Sequence, residues 1–307
     1  MKRRHDSMEA GTENTENYVP GYDDNKNLTF NEGIVKKQLE EIDLLVIKDE
    51  YDQALKLMEG QLPILKSFEE RFVDTPEREF KIFYEPFQQI LFQYRFKPTV
   101  QIEPLPTVGI EGNLVYGSLL IGLKRYDEAL ECFNNVLKRN PVEPRAIYQR
   151  IETYKLMKDM DNFFKYCVEA SKLTYRPYDV ARLHRNFGYY CIEKKMYDLA
   201  MACYSMSLSY EKTSRVATAE MQYAVKMSEG KAKAPAYPDA IKMAEEAGIP
   251  FGVDKEVMSL AYTWGKNALD SKQYKLARYY IQIVANLTHN KQIQDLLESI
   301  PADSKQS

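Results

Sequence analysis

Glycine and proline are scarce in this chain of 307 residues, at 13 and 14. An all-β protein of this length would need many more turns, so the shortage favours helices. Histidine is rarer still: His5, His184 and His289 are the three copies. No H-E-x-x-H motif, Gly-rich phosphate loop or G-x-S-x-G elbow is present. The four cysteines, Cys132, Cys167, Cys191 and Cys203, form no C-x-x-C pair. Each lies among apolar residues of a predicted helix, which suits small buried thiols in a reducing compartment better than zinc ligands. The expectation is a protein that is not an enzyme and has no metal and no cofactor. An excess of one charge is also missing, since 42 basic residues meet 45 acidic ones for a net charge of −3. That balance implies no sustained basic face and no nucleic-acid partner. Long apolar runs are absent too. The uncharged stretches Gly112–Leu123 and Leu199–Tyr210 are 12 residues each, short of the roughly 18 a membrane span needs. Met1-Lys2-Arg3-Arg4 leads into polar residues rather than an apolar core. The reading is a soluble, cytoplasmic chain with no membrane contact.

What is present is repetition. Residues 1–27 are polar, with almost no aliphatic side chains, and predict a solvated disordered tail. Beyond it one phrase recurs: Tyr51-Asp52-Gln53-Ala54, Tyr126-Asp127-Glu128-Ala129, Tyr197-Asp198-Leu199-Ala200 and Tyr274-Lys275-Leu276-Ala277, with Tyr237-Pro238-Asp239-Ala240 as a weaker echo. Gly117, Gly188 and Gly265 each precede the alanine by 12 positions, and Phe133, Tyr204 and Ile281 each follow it by four. The best copy spans 110–143. Its second helix places Tyr126, Ala129, Leu130, Phe133, Val136 and Leu137 on one face. Asp127 and Glu128 suit its N-terminal end and Lys138 and Arg139 its C-terminal end, and Asn140-Pro141 stops it. A glycine inside the first helix costs on the order of 1 kcal/mol against alanine. Close approach of the partner helix is the reason to tolerate it.

These residues resemble the tetratricopeptide repeat (TPR) consensus of ~34 residues, W-x₂-L-G-x₂-Y…A-x₃-F…P. Gly117, Ala129, Phe133 and Pro141 fall in register, as do Phe187-Gly188, Ala200 and Tyr204, and Trp264-Gly265, Ala277 and Ile281. The resemblance implies an all-α fold, an α-α superhelix built as a TPR-like solenoid of antiparallel helix pairs. The expected organisation is a tail at 1–27, an N-terminal helical module at 28–98 with one degenerate repeat, and a Pro-rich connector at 99–109. A TPR array follows at 110–290, with copies at 110–143, 144–177, 181–214, about 215–250 and 258–290. A capping helix at 291–300 and a tail at 301–307 close the chain. The alanines of the four strong phrases are 75, 71 and 77 residues apart. Each interval exceeds two periods, so insertions lie between repeat pairs.

The N-terminal module fits the pattern least. Tyr51–Phe72 reads as one long helix interrupted at Pro63. Thr75-Pro76-Glu77 reads as a helix start, and the helix that follows carries Phe80, Phe83, Tyr84, Phe87, Ile90, Leu91 and Tyr94 on one stripe. That aromatic helix at 75–96 is either core or an exposed surface.

The resemblance also implies that first-helix side chains face a concave surface, at the second, fifth, ninth and twelfth positions of each repeat. This selects Arg145, Tyr148, Glu152 and Lys155 from one copy, Arg182, Arg185, Tyr189 and Ile192 from the next, and Tyr262 and Lys266 from the last, with Asn186 close by. Interleaved cations and tyrosines suit a protein or peptide partner with an acidic segment. The expected function is a non-catalytic scaffold binding such a partner on this surface. The alternative is a structural protein that self-assembles through the helix at 75–96.

Overall fold

A computed structural model of the chain describes residues 21–22, 28–29, 31–288 and 290–301. Most of the expected tail at 1–27, nearly all of the one at 301–307, and His5 and His289 lie outside the described residues. The fold is all-α and TPR-like, an array of helix pairs with two minor strand pairings. The chain divides into two compact units. One holds residues through Ile82 together with Val100–Arg139, and the other holds Phe83–Thr99 and the chain from Asn140 onward.

The first unit contains α1 (Glu32–Ile47), α2 (Tyr51–Glu59), α3 (Leu62–Arg71), α5 (Val108–Gly122) and α6 (Tyr126–Arg139). It also holds the short antiparallel pair β1 (Gly21–Tyr22) and β2 (Leu28–Thr29) and the parallel pair β3 (Arg78–Lys81) and β4 (Gln101–Pro104). The first helix pair of the expected array, α5 and α6, therefore belongs with the N-terminal helices. The reason is in α5 itself. A Cβ at Gly117 would lie 2.6 Å from the Phe133 ring of α6. Gly109 is covered by Phe68, Gly112 by Leu65 and Gly122 by Tyr51. One helix thus admits close neighbours on two sides.

The second unit contains α4 (Pro86–Phe96), α7 (Pro144–Met157), α8 (Met160–Ser171), α9 (Pro177–Glu193) and α10 (Tyr197–Tyr210). Then come α11 (Arg215–Met227), α12 (Tyr237–Glu246), α13 (Lys255–Asp270), α14 (Tyr274–Thr288) and α15 (Lys291–Ser299). α7 pairs with α8, α9 with α10 and α13 with α14. Cβ atoms placed at Gly188 and Gly265 would lie 2.6 Å from Tyr204 and Ile281. These are the small-against-large contacts that the sequence spacing predicts.

The turn inside each pair is a second repeating device. Asp49, Lys124, Lys158, Lys195 and Lys272 all have φ near +60°, and in each case the next helix starts two residues later. The amide after each left-handed residue donates to a carbonyl five residues back, as Arg125 N does to Leu120 O at 2.8 Å and Met196 N to Cys191 O at 2.8 Å. This is the Schellman closure of a helix C-terminus.

Two expectations for the N-terminal region are corrected. Tyr51–Phe72 is two helices, broken at Gly60-Gln61, with Pro63 in the first turn of α3 where its missing amide costs nothing. The aromatic helix at 75–96 does not exist as such. Thr75 and Arg78 exchange backbone hydrogen bonds across a tight turn, Arg78–Lys81 is strand β3, and the helix begins at Pro86. Proline forbids helical backbone at the residue before it, and Glu85 is extended at φ −134°, ψ 146°. Within α4, Phe87, Ile90, Leu91 and Phe92 are buried. Phe87 meets Tyr175 and Tyr280 edge-on. The Glu85 carboxylate accepts hydrogen bonds from Tyr175 (2.7 Å) and Tyr279 (3.0 Å). The Arg95 guanidinium reaches Asp254 and Glu256. No helix among the described residues is long and apolar enough to cross a membrane.

Candidate functional site

The first helices of three successive segments, α7, α9 and α11, turn side chains into one hollow of about 170 Å³. Six sequence-predicted residues line it: Glu152 and Lys155 from α7, and Arg182, Arg185, Asn186 and Tyr189 from α9. Their spacing puts each set on one helix face. Lys155 lies 4.6 Å from the Tyr189 ring centroid and 3.8 Å from Glu152. Arg182 stacks 5.0 Å over the Tyr148 ring and donates to the Tyr148 carbonyl at 3.4 Å. Arg185 is committed elsewhere, with its guanidinium 2.5 Å from Glu211 and 3.2 Å from Ser207 Oγ. Asn186 is largely buried.

Five predicted residues are not brought to the hollow. Tyr148 is 2% exposed. Its hydroxyl donates to the Asp179 carbonyl at 2.8 Å and lies 3.0 Å from Thr174 Oγ1, so it fastens α7 to the start of α9 instead of facing a ligand. Burial pushes its phenol well above the usual range. Arg145, at the start of α7, pairs with Glu143 at 2.8 Å and stacks on Tyr84 at 5.0 Å. Tyr262 is exposed and Lys266 half-buried on α13, and neither lines the hollow. Ile192, also predicted to face the surface, is buried.

Four lining residues were missed: Tyr178, Tyr204, Val216 and Glu220. Val216 stands at the second position of a repeat counted from Arg215, so the positional rule would have found it in a segment too loose to register. The Tyr204 hydroxyl is buried without a well-formed hydrogen bond. Burial and the Glu220 carboxylate beside it keep that phenol protonated. Burial also raises Tyr189, with Glu193, Glu152 and Glu220 adding to the effect. The hollow therefore presents three cations, two carboxylates and aromatic walls. It contains no activated nucleophile, and the four cysteines are free and buried.

No family model and no curated protein matches the chain. Among solved structures it is similar to a thermophilic TPR protein from Thermus thermophilus, at 13% identity and a TM-score of 0.34, over 62% of this chain and 98% of that one. It is similar to a tetratricopeptide repeat protein from Parabacteroides merdae, at 15% and 0.33, over 86% and 97%. It is also similar to a chain of the APC/C hetero-tetramer Cut9–Hcn1, at 12% and 0.27, over 86% of this chain and 55% of that one. The TPR-like character of the fold is carried by its own glycine-to-large-residue contacts.

Proposed function

We propose that this protein is a non-catalytic scaffold that binds a protein or peptide partner on the face shared by α7, α9 and α11. An acidic side chain of the partner sits at Lys155 and Arg182. The observation that supports this most is the convergence of six predicted residues from two repeats in one hollow. Arg182 is the strongest anchor because a guanidinium binds a carboxylate with directional, charge-assisted hydrogen bonds. The buried free thiols are in the state a reducing compartment maintains, which supports the cytoplasmic reading. Self-assembly through 75–96 has less support, because most of α4's apolar face is buried within its own unit.

The test uses Lys155→Glu plus Arg182→Glu, leaving Arg185 with Glu211. A fluorescent Asp/Glu-rich peptide should lose at least about tenfold in affinity, 1.4 kcal/mol, with the helical circular-dichroism signal unchanged. The wild-type affinity should fall as salt rises. Equal binding by wild type and variant would remove the hollow as the site.

A further inference from the structure

Two polar side chains deep in the small hollow have nothing to bond. Asn186 is 6% exposed, and among the described residues no hydrogen bond reaches its side-chain amide. Tyr204 is 1% exposed, and its hydroxyl has no well-formed hydrogen bond, although the Glu220 carboxylate lies beside it. Both residues line the hollow. Buried polar groups are paired as a rule, and leaving one unpaired is destabilising. Two of them on one cavity wall mark the place of an occupant.

The pair comes from two helices, Asn186 from α9 and Tyr204 from α10, and the packing holds it in place. The Tyr204 ring lies over Gly188, where a Cβ would be 2.6 Å from its nearest atom. Asn186 stands between Arg185, which is tied to Glu211 and Ser207, and the buried Phe187.

The charges narrow the occupant. Glu152, Lys155, Arg182, Arg185 and Glu220 all line the hollow. Lys155 is 3.8 Å from Glu152, and Arg185 is 2.5 Å from Glu211. That leaves Arg182, the anchor for the partner's acid, and Glu220. A carboxylate in the depth would crowd Glu220 and leave the Asn186 oxygen without a donor. A lysine or arginine there would meet Arg182 and leave the Asn186 N–H groups without an acceptor. Either ion would also lose its water, which is costly without a full partner. An apolar side chain would satisfy neither Asn186 nor Tyr204. A primary amide both donates and accepts, so it can exchange a pair of N–H···O bonds with Asn186 and keep a donor and an acceptor site for Tyr204. Its size agrees as well. The hollow of about 170 Å³ is the room of roughly five or six water molecules, close to the heavy-atom count of a glutamine side chain.

We infer that Asn186 and Tyr204 bind the primary amide of a glutamine side chain in the partner. The glutamine enters beside the acidic residue placed at Lys155 and Arg182, and its recognition rests on that reading of the hollow.

The probes are fluorescent peptides of aspartate and glutamate, identical except at one central position that is glutamine, glutamate, lysine or leucine. Each is titrated onto the full chain by fluorescence anisotropy. The glutamine peptide should bind at least about tenfold more tightly than the other three, because each of those leaves a buried group unpaired. Tyr204→Phe keeps the ring over Gly188 and removes only the unpaired hydroxyl. Its thermal melt should hold or rise while the glutamine preference shrinks. Asn186→Leu should abolish the preference and bring the leucine peptide level with the glutamine one. Lys155→Glu plus Arg182→Glu should weaken all four peptides and keep their order. Equal binding of the four peptides by the wild type overturns the inference and leaves the acidic-segment site standing. A glutamine preference that survives both Asn186→Leu and Tyr204→Phe also overturns it. Failure of the wild type to bind any of the four removes both readings.

Discussion

Truncating Phe133 to alanine is expected to lower stability by about 4 kcal/mol, within the 3–5 kcal/mol typical of a buried phenylalanine. Phe133 is fully buried, and its ring fills the space above Gly117, where a Cβ would lie 2.6 and 2.7 Å from ring atoms and 3.2 Å from the Cys132 Cβ. A second substitution at this contact should change sign with the background. Gly117→Ala in the wild type gains about 1 kcal/mol of helix propensity but drives a methyl into the ring, an overpacking cost of roughly 1–3 kcal/mol. It should therefore be neutral to destabilising. In the Phe133→Ala background the ring is gone, the close neighbour left is the Cys132 Cβ at 3.2 Å, and the same substitution should turn stabilising, by at most about 1 kcal/mol. Urea unfolding of the four proteins reads the coupling directly. If Gly117→Ala stabilises equally in both backgrounds, the contact does not set the spacing of α5 and α6.

That contact was legible in the sequence because it is written in residue size at fixed intervals. Gly117 with Phe133, Gly188 with Tyr204 and Gly265 with Ile281 keep the same separation, and each closes in space as one small-against-large contact. The turns between paired helices were not legible. The residues in left-handed backbone there are lysines and one aspartate, where glycine is the expected signal. Their regularity shows only in dihedral angles. The region 75–96 was misread for a different reason. Its aromatic residues satisfy a helical stripe, but Pro86 stands inside it, and proline removes an amide and blocks helical backbone before it. The alternation of charged and apolar residues through Glu79–Ile82 was the competing period-two signal, and the parallel pairing of β3 with β4 covers most of it.

The site was partly legible. Positions counted along a helix fix a direction to about one residue, or roughly 100° of rotation. That was enough for Glu152, Lys155, Arg182, Arg185 and Tyr189. It failed for Tyr148, which the hydrogen bond to Asp179 O turns toward α9, and for Tyr262 and Lys266, which sit on α13, away from the hollow. It missed Val216 and Glu220 because the segment around α11 lacks the glycine that would have set a register.

Lowering the pH from 7 to 4 should remove about 3 kcal/mol of stability through His184 alone. The imidazole is fully buried. Its Nδ1–H donates to the Val180 carbonyl at 2.9 Å, and its Nε2 accepts the Gly252 amide at 3.0 Å. Both nitrogens are satisfied in the neutral ring, and Nε2 can accept only while it is unprotonated. Burial pushes the group down from 6.5 to about 4, against a smaller upward pull from Val180. A folded pKa below the unfolded one means that, below pH 6.5, the unfolded chain takes up a proton the folded chain refuses. Stability is complete above that pH, falls between 6.5 and 4, and levels off once the folded ring is also protonated. Each pKa unit is worth about 1.4 kcal/mol, hence the magnitude. Carboxylates titrate over the lower part of this range, so the His184 contribution is isolated by subtraction. His184→Gln keeps an amide able to donate to Val180 and accept from Gly252, and it has no titration. Subtracting the variant's stability-versus-pH curve from the wild type's should give a slope confined to pH 6.5–4. Parallel curves would show that His184 titrates freely and that the Gly252 bond does not fix its proton. The bond fastens the turn before α13 onto α9, the helix that carries Arg182 and Tyr189. Loss of the acidic-segment affinity over the same pH window, in the wild type and not in His184→Gln, would show that the turn holds the binding face in shape.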